Sequence, residues 1–246
     1  MRPRLASVIL PRLPDAAAFR AAARIHRSAG PTPPRQITLA DGSTFELTND
    51  DWAQGQTLLL RRYSERVVRK ITLRQPKIVV DAGAHVGLVA FQIAARVSSV
   101  SIHAFEPHPQ NAARFRRNAQ LNPLANVKLT EAALGEAPRS LSFDLDSNSV
   151  SAADFTVPAL ALDDYLDAQR IDSVSALKID VEGHELPVLR GARRLLAAGG
   201  AELVVVELMP AHRQRVGTPA EEIIGFLGRF GYRQKWAVGE DVGFSR

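Results

Sequence analysis

The sequence predicts an α/β fold: a doubly wound, mostly parallel sheet with helices on both faces, preceded by an N-terminal helix/hairpin extension. Three stretches predict it. Residues 77–90, KIVVDAGAHVGLVA, read as a buried strand, a glycine turn and the start of a helix. Residues 100–105 form a second apolar run, ending in Glu106-Pro107, and a helical pattern follows from about 109 to 121. Residues 176–196, ALKIDVEGHELPVLRGARRLL, repeat the plan of strand, acidic tip and amphipathic helix. Strands alternating with helices are the mark of βαβ units and a parallel sheet.

Taken in order, residues 14–28 predict a short helix, with Asp15 in its first turn and apolar residues at helical spacing. Residues 30–34 break it. Residues 36–47 alternate around Asp41-Gly42, a two-residue hairpin signal. Asp50 or Asp51 is then expected to cap one helix through Arg69. Residues 1–76 therefore read as an extension, a lid or wall before the sheet, and 77–246 as the domain that carries it. Beyond the second unit, 126–129 predicts a third strand, 140–145 an added strand and 147–158 a small-residue loop. Residues 202–208 predict a buried strand with Glu207 at its tip.

Composition narrows the class. At 246 residues and 46% hydrophobic content, the chain can bury a sizeable core as one domain with an extension. It has no cysteine, which excludes disulfides and thiolate metal sites and fits a reducing cytoplasm. The apolar run at 5–10 stops at Pro11, short of a signal segment or a membrane span. Residues 1–76 hold 13 Lys+Arg against 6 Asp+Glu, whereas the remainder holds 18 against 20. The seven arginines from Arg2 to Arg35 are spread out rather than clustered, which reads as a solvated basic surface rather than a nucleic-acid patch.

The turn after the first strand indicates the ligand. Gly83 and Gly87 let the backbone turn tightly, approach a ligand and pack the next helix. In a nicotinamide-binding turn, GxGxxG places a helix N-terminus against a pyrophosphate, which a carboxylate would repel. Asp81 stands at the tip instead. S-Adenosylmethionine has no phosphate and carries a sulfonium and an ammonium, so an acidic tip favours it. Asp81, Gly83, Ala84, His85 and Gly87 are the expected cofactor contacts in this turn. Glu106, 23 residues beyond Gly83, is placed to accept a ribose diol, with Pro107 beside it. Glu131 and Ala132 follow the third strand, where adenine would lie. Asp180, Glu182 and Glu207 bring further carboxylates to the same edge. Each carboxylate taken alone also fits a helix cap or an ion pair.

The stretches VVDAGAHVG (79–87), AFEPHPQNAARFRRNAQLN (104–122), LDDYL (162–166), ALKIDVEGHELPVLRGA (176–192) and VVVEL (204–208) resemble, in order, the motifs of the FkbM family of S-adenosylmethionine-dependent methyltransferases. The resemblance spans about 78–210. It implies a class I methyltransferase fold, a seven-stranded Rossmann-like sheet with its last strand antiparallel, and O-methylation of a small-molecule hydroxyl on a sugar or secondary metabolite. The family usually has Asn where this chain has His85, a position next to the methionine portion of the cofactor. Nothing similar anchors residues 1–76.

A hydroxyl acceptor must lose a proton, and Asp180, Glu182, His184 and His212 are the candidate bases, the first three at the tip beside the expected methyl position. The Glu182/His184 pair is preferred, Asp180 being shared with the cofactor site. The six histidines show no zinc spacing and no metal is expected, the alternative being a Mg²⁺ on Asp180, Glu182 and Glu207. Two other classes compete: a nicotinamide-dependent oxidoreductase, disfavoured by Asp81, and a non-catalytic module of the same fold binding RNA through the basic N-terminal segment.

Overall fold

The computed structural model describes residues 15–28, 32–144, 149–150, 155–212 and 217–246. The apolar run at 5–10 and Arg2, Arg4 and Arg12 lie outside them, as does part of the loop expected at 147–158. Among the described residues, no helix is long and apolar enough to cross a membrane.

The centre is a seven-stranded sheet of β3 (Ile78–Ala82), β4 (Ser101–Phe105), β5 (Val127–Thr130), β10 (Ala176–Ile179), β11 (Val204–Glu207), β12 (Arg233–Val238) and β13 (Asp241–Ser245). Its order is β5-β4-β3-β10-β11-β13-β12. The first five strands pair in parallel, whereas β13 runs antiparallel to both β11 and β12. This is the class I methyltransferase arrangement that the motifs imply, with the last strand reversed. The inner strands β3, β4, β10 and β11 are mostly apolar because both faces are covered, whereas the edge strand β12 begins with exposed Arg233, Gln234 and Lys235. Val80, Leu177, Val204 and Val206 pack on one side with residues of α6 (Leu162–Gln169), α7 (Glu185–Gly191), α8 (Arg193–Ala197) and α9 (Ala220–Arg229). Val79, Ile102, Ala176 and Val205 pack on the other with Phe91 and Ile93 of α4 (Leu88–Arg96) and Phe115 of α5 (Pro109–Leu121).

The N-terminal part covers this second face. It comprises α1 (Asp15–Ser28), the hairpin β1 (Arg35–Thr38) and β2 (Thr44–Leu47), α2 (Trp52–Leu60) and α3 (Glu65–Thr72). Ile37, Phe45 and Leu47 of the hairpin and Val67, Val68 and Ile71 of α3 share one core with the sheet. The hairpin loop is wider than the two residues expected, running from Leu39 to Ser43, because the Asp41 carboxylate accepts from the Ser43 N–H (3.1 Å) and hydroxyl (2.5 Å). The single helix expected from Asp50 or Asp51 to Arg69 is two. Asp51 does cap α2, accepting from the Gln54 N–H, but Arg61 turns left-handed at φ 57 and closes it. Ser64, also left-handed, starts α3.

A second sheet, β6 (Ala133–Gly135), β7 (Arg139–Asp144), β8 (Ser149–Val150) and β9 (Phe155–Ala161), is ordered β6-β9-β7-β8. The added strand expected at 140–145 is β7. The loop expected at 147–158 gives way to β8 and β9 where it is described, because β9 pairs with β7 on one side and β6 on the other and buries Val157 and Ala159 against Leu141. The helix expected after the acidic tip breaks at Ala192 into α7 and α8.

Candidate active site

At the C-terminal ends of β3, β4, β10 and β11 the chain encloses a cavity of about 370 Å³. Such a crevice is where open α/β sheets bind ligands. Asp81, Gly83, Ala84, His85, Glu106, Pro107, Ala132, Asp180, Glu182 and His184 all line it. Two other candidates do not. Gly87 lies behind the turn, its N–H donating to the Ala84 carbonyl, and a Cβ there would fall 2.3 Å from the Phe91 ring. Glu131 is half-exposed and pairs with Arg116 outside the cavity.

The glycine turn is fixed from two sides. Gly83 (φ +79) and Ala84 donate their N–H groups to the Phe105 carbonyl, both at 3.0 Å, and a Cβ on Gly83 would lie 1.8 Å from the Asp180 carbonyl oxygen. Only glycine fits there. Glu106 is buried, and its carboxylate accepts from the His85 N–H (2.8 Å) and the His108 N–H (2.9 Å). Burial pushes its pKa upward against the pull of His85 and these N–H groups.

Asp81 is 1% exposed, and neither of its oxygens has a hydrogen-bond partner. The ammonium of Lys178 stands 3.5 Å from Asp81 Oδ1 and 3.1 Å from Asp180 Oδ2. Burial pushes Asp81 up against that cation. For Lys178 burial acts downward, but Asp180 and Asp81 outweigh it and hold the amine well above its usual range, so it stays charged. Lys178 is a cavity-lining residue that the sequence reading passed over. Its signal was present: a lysine in an otherwise apolar buried strand, two residues before Asp180 and so on the same face.

The wall also carries Asp180, Glu182, His184, Glu207 and His212. Glu182 sits on the loop after β10 at φ 53. The buried Nε2 of His184 has no hydrogen-bond partner, and burial, then Arg139, lowers its pKa. It is therefore a neutral imidazole with a free ring nitrogen. Glu207 is pushed up to about 9 by burial and by the charge of Asp180, and lies 3.5 Å from His212 Nδ1. Tyr63, partly buried in the same wall, is raised by burial and then by Asp180. Among the described residues no group of three or more His, Asp or Glu side chains is arranged to hold a metal ion, so the Mg²⁺ alternative on Asp180, Glu182 and Glu207 gains no support.

The extension supplies Asp51, Trp52, Ala53 and Tyr63 to the wall. Asp51 reaches His85, Nε2 to Oδ2 at 3.2 Å. Asp51, Trp52 and Ala53 reach the cavity from the N-terminal end of α2, and Tyr63 from the break between α2 and α3, which the sequence does not announce.

Residues 81–234 match the Methyltransferase FkbM domain. Methyltransferase 1 of Beauveria bassiana is 27% identical over 142 residues, 46% of this chain and 57% of that protein. The hexuronic acid methyltransferase AglP of Haloferax volcanii is 26% identical over 135 residues, 52% of this chain and 54% of that protein. The chain thus spans little more than half the length of these curated relatives. Among solved structures, the precorrin-6y C5,15-methyltransferase of Geobacter metallireducens superimposes with a TM-score of 0.48 at 15% identity, over 75% of this chain and 91% of that one. The match over 81–234, through the glycine turn, the Glu106-Pro107 tip and the KIDVEG block, assigns the chain to the FkbM family of S-adenosylmethionine-dependent methyltransferases.

Proposed function

We propose that this chain transfers a methyl group from S-adenosylmethionine to a hydroxyl of a sugar or secondary-metabolite small molecule. The observation that carries the reading is one cavity that holds the buried carboxylates of Asp81, paired only with Lys178, and of Glu106, together with the unpartnered Nε2 of His184. Asp81 and Asp180 share the single ammonium of Lys178, so neither carboxylate is fully offset by it, and the donor's ammonium fits that need. The Glu106 oxygens accept the His85 and His108 N–H groups, and the Asn111 side chain bonds the same carboxylate, which still leaves acceptor capacity for a ribose hydroxyl. The residues therefore fit the cofactor. Bound S-adenosylmethionine supplies a methyl group made electrophilic by its sulfonium.

The protein's part is alignment, exclusion of water and removal of one proton. The acceptor hydroxyl gives its proton to His184 Nε2 as its oxygen gains the methyl, with Glu182 beside it on the same loop. A neutral imidazole is the right form for this at neutral pH, and burial keeps His184 in it. Asp180, which accepts from Lys178, lines the same cavity as Glu106 and His184. The similarity to a hexuronic acid methyltransferase supports a sugar-like acceptor.

Calorimetry should show S-adenosylmethionine binding and no NAD binding, and mass spectrometry should show methylation of a hydroxylated acceptor. Glu106→Ala removes charge-assisted hydrogen bonds of about 1.5–3 kcal/mol and should weaken cofactor binding by about one to two orders of magnitude. His184→Ala should lose about 10²–10⁴ in turnover while binding cofactor almost normally. Binding of NAD instead, or unchanged affinity in Glu106→Ala, would overturn the reading.

A further inference from the structure

His85 occupies an unusual position. It is a non-glycine residue at φ 54, in the left-handed region, in the middle of the cofactor turn. Two contacts hold it there. Its N–H donates to Glu106 Oε2 at 2.8 Å, and its ring Nε2 lies 3.2 Å from Asp51 Oδ2. The first contact orients the carboxylate assigned to the ribose. The second ties the turn to a different layer of the molecule.

Asp51 is firmly seated in that layer. It caps α2 by accepting from the Gln54 N–H at 2.9 Å and also accepts from the Gln54 side-chain amide. Gln54 Oε1 in turn accepts from the Thr48 N–H at 3.1 Å. The segment from Thr48 to Gln54 is thus a closed polar network, and the next two residues after Asp51, Trp52 and Ala53, line the cavity. Through His85, that network is joined to the turn.

We infer that Asp51 is a positioning residue for the cofactor: by gripping the His85 imidazole it fixes the glycine turn and, through the His85 N–H, the Glu106 carboxylate that receives the ribose. The inference rests on the cofactor reading above. The tie is strongest with His85 protonated, because a charge-assisted bond is about twice as strong as a neutral one.

The charged groups that face the ring are Asp51 from the wall, Glu106 from the end of β4 and Asp180 from the end of β10. Burial lowers His85, but the hydrogen bond and charge of Asp51, then Glu106 and Asp180, raise it above its ordinary 6.5. Burial would also raise Asp51, yet His85 and the cap bonds bring it down to about 2, so it stays ionised. A histidine raised in this way holds its full interaction below its ordinary pKa and loses it as pH rises through the raised value. Cofactor affinity should fall over that window.

The test uses S-adenosylhomocysteine, which binds without reacting and keeps the ammonium, so each variant is compared with the wild type at the same pH, where the ligand's own ionisation is common to both. Asp51→Asn keeps a side chain that caps helices as well as Asp does, but removes the charge. By calorimetry at about pH 6, Asp51→Asn should bind about three- to ten-fold more weakly than the wild type, and the gap should close by about pH 9. His85→Asn, which tolerates left-handed backbone and does not titrate, should show the same flattened profile. The His85 ring resonances of the ligand-free protein should titrate at lower pH in Asp51→Asn. Other titrating groups are common to all three proteins and cancel in the comparison. Equal affinity and parallel pH profiles in wild type and Asp51→Asn, or an unmoved His85 titration, would overturn this inference alone. No binding by the wild type at any pH would overturn the cofactor reading and this inference with it.

Discussion

Burial and then the charge of Asp180 push Glu207 up to about 9 from its ordinary 4.5, with Lys178 only partly opposing them, which favours its protonated form. This has a consequence for stability. A carboxyl raised in the folded state binds a proton that the unfolded chain has lost, so its contribution is complete below about pH 4.5 and drains away as pH rises to about 9. Glu207→Gln keeps a neutral hydrogen-bonding side chain that cannot ionise. Thermal melts should therefore show the wild type losing more of its melting temperature than Glu207→Gln between neutral and mildly alkaline pH. Asp241, raised to about 6 by burial against the pull of Lys178, is common to both proteins. Parallel curves would show that Glu207 is not the proton-holding group. At this scale the sequence shows the position of a carboxylate but not its state. Asp81, Glu106 and Asp180 are legible because each ends an apolar run at a strand tip. The proton on Glu207 is set by Asp180 and Lys178, neighbours brought together only by the pairing of β10 with β11.

Among the elements, those bounded by strong local signals read correctly and those bounded by distant partners did not. β3, β4 and α5 are bracketed by glycine, proline or an acidic tip. The 51–69 stretch has no glycine or proline at its break, so the left-handed turn at Arg61 leaves no mark in the sequence. The break at Ala192 has a cause about thirty residues upstream. Asp163, in the first turn of α6, accepts the N–H groups of Arg194 (2.7 Å) and Leu195 (3.0 Å) and so serves as the cap for α8. Asp163 is 8% exposed, whereas Arg194, which also pairs with Asp164 and Asp167, is largely solvent-facing. Asp163→Ala leaves both N–H groups without their acceptor and should destabilise the protein by about 1–3 kcal/mol in urea titrations. Arg194→Ala should cost under about 1 kcal/mol, since exposed ion pairs contribute little. Equal effects would show that the ion pairs, not the cap, hold α8.

Across the whole molecule, the extension is joined to the sheet unevenly, and this predicts an order of opening. The hairpin is tightly bound. Phe45 packs edge-on against Phe91 with ring centroids 6.2 Å apart, and Ile37, Phe45 and Leu47 belong to the core beneath the sheet. Asn118 of α5, fully buried, accepts from the Glu46 N–H at 2.8 Å and donates to the Val86 carbonyl at 2.9 Å, joining hairpin, helix and glycine turn. Asn122 accepts from the Thr44 N–H and donates to the Thr44 carbonyl. By contrast, among the residues whose side chains are described, α1 meets α2 through a satellite cluster with Ala22, Leu59 and Leu60 buried and Ala21, Ile25 and Trp52 partly covered. Segments with few buried apolar contacts open at lower free energy than the core they rest on. In native-state hydrogen exchange the Ile37, Phe45 and Leu47 amides should therefore be protected on the scale of β3 and β4, and those of α1 far less. Asn118→Ala removes the partner of a buried N–H and a buried carbonyl and should bring the hairpin down toward α1 while leaving β3 and β4 comparatively protected. If α1 exchanges as slowly as the sheet, or if the wild-type hairpin exchanges as fast as α1, the extension is held by something other than the shared core and the two asparagines.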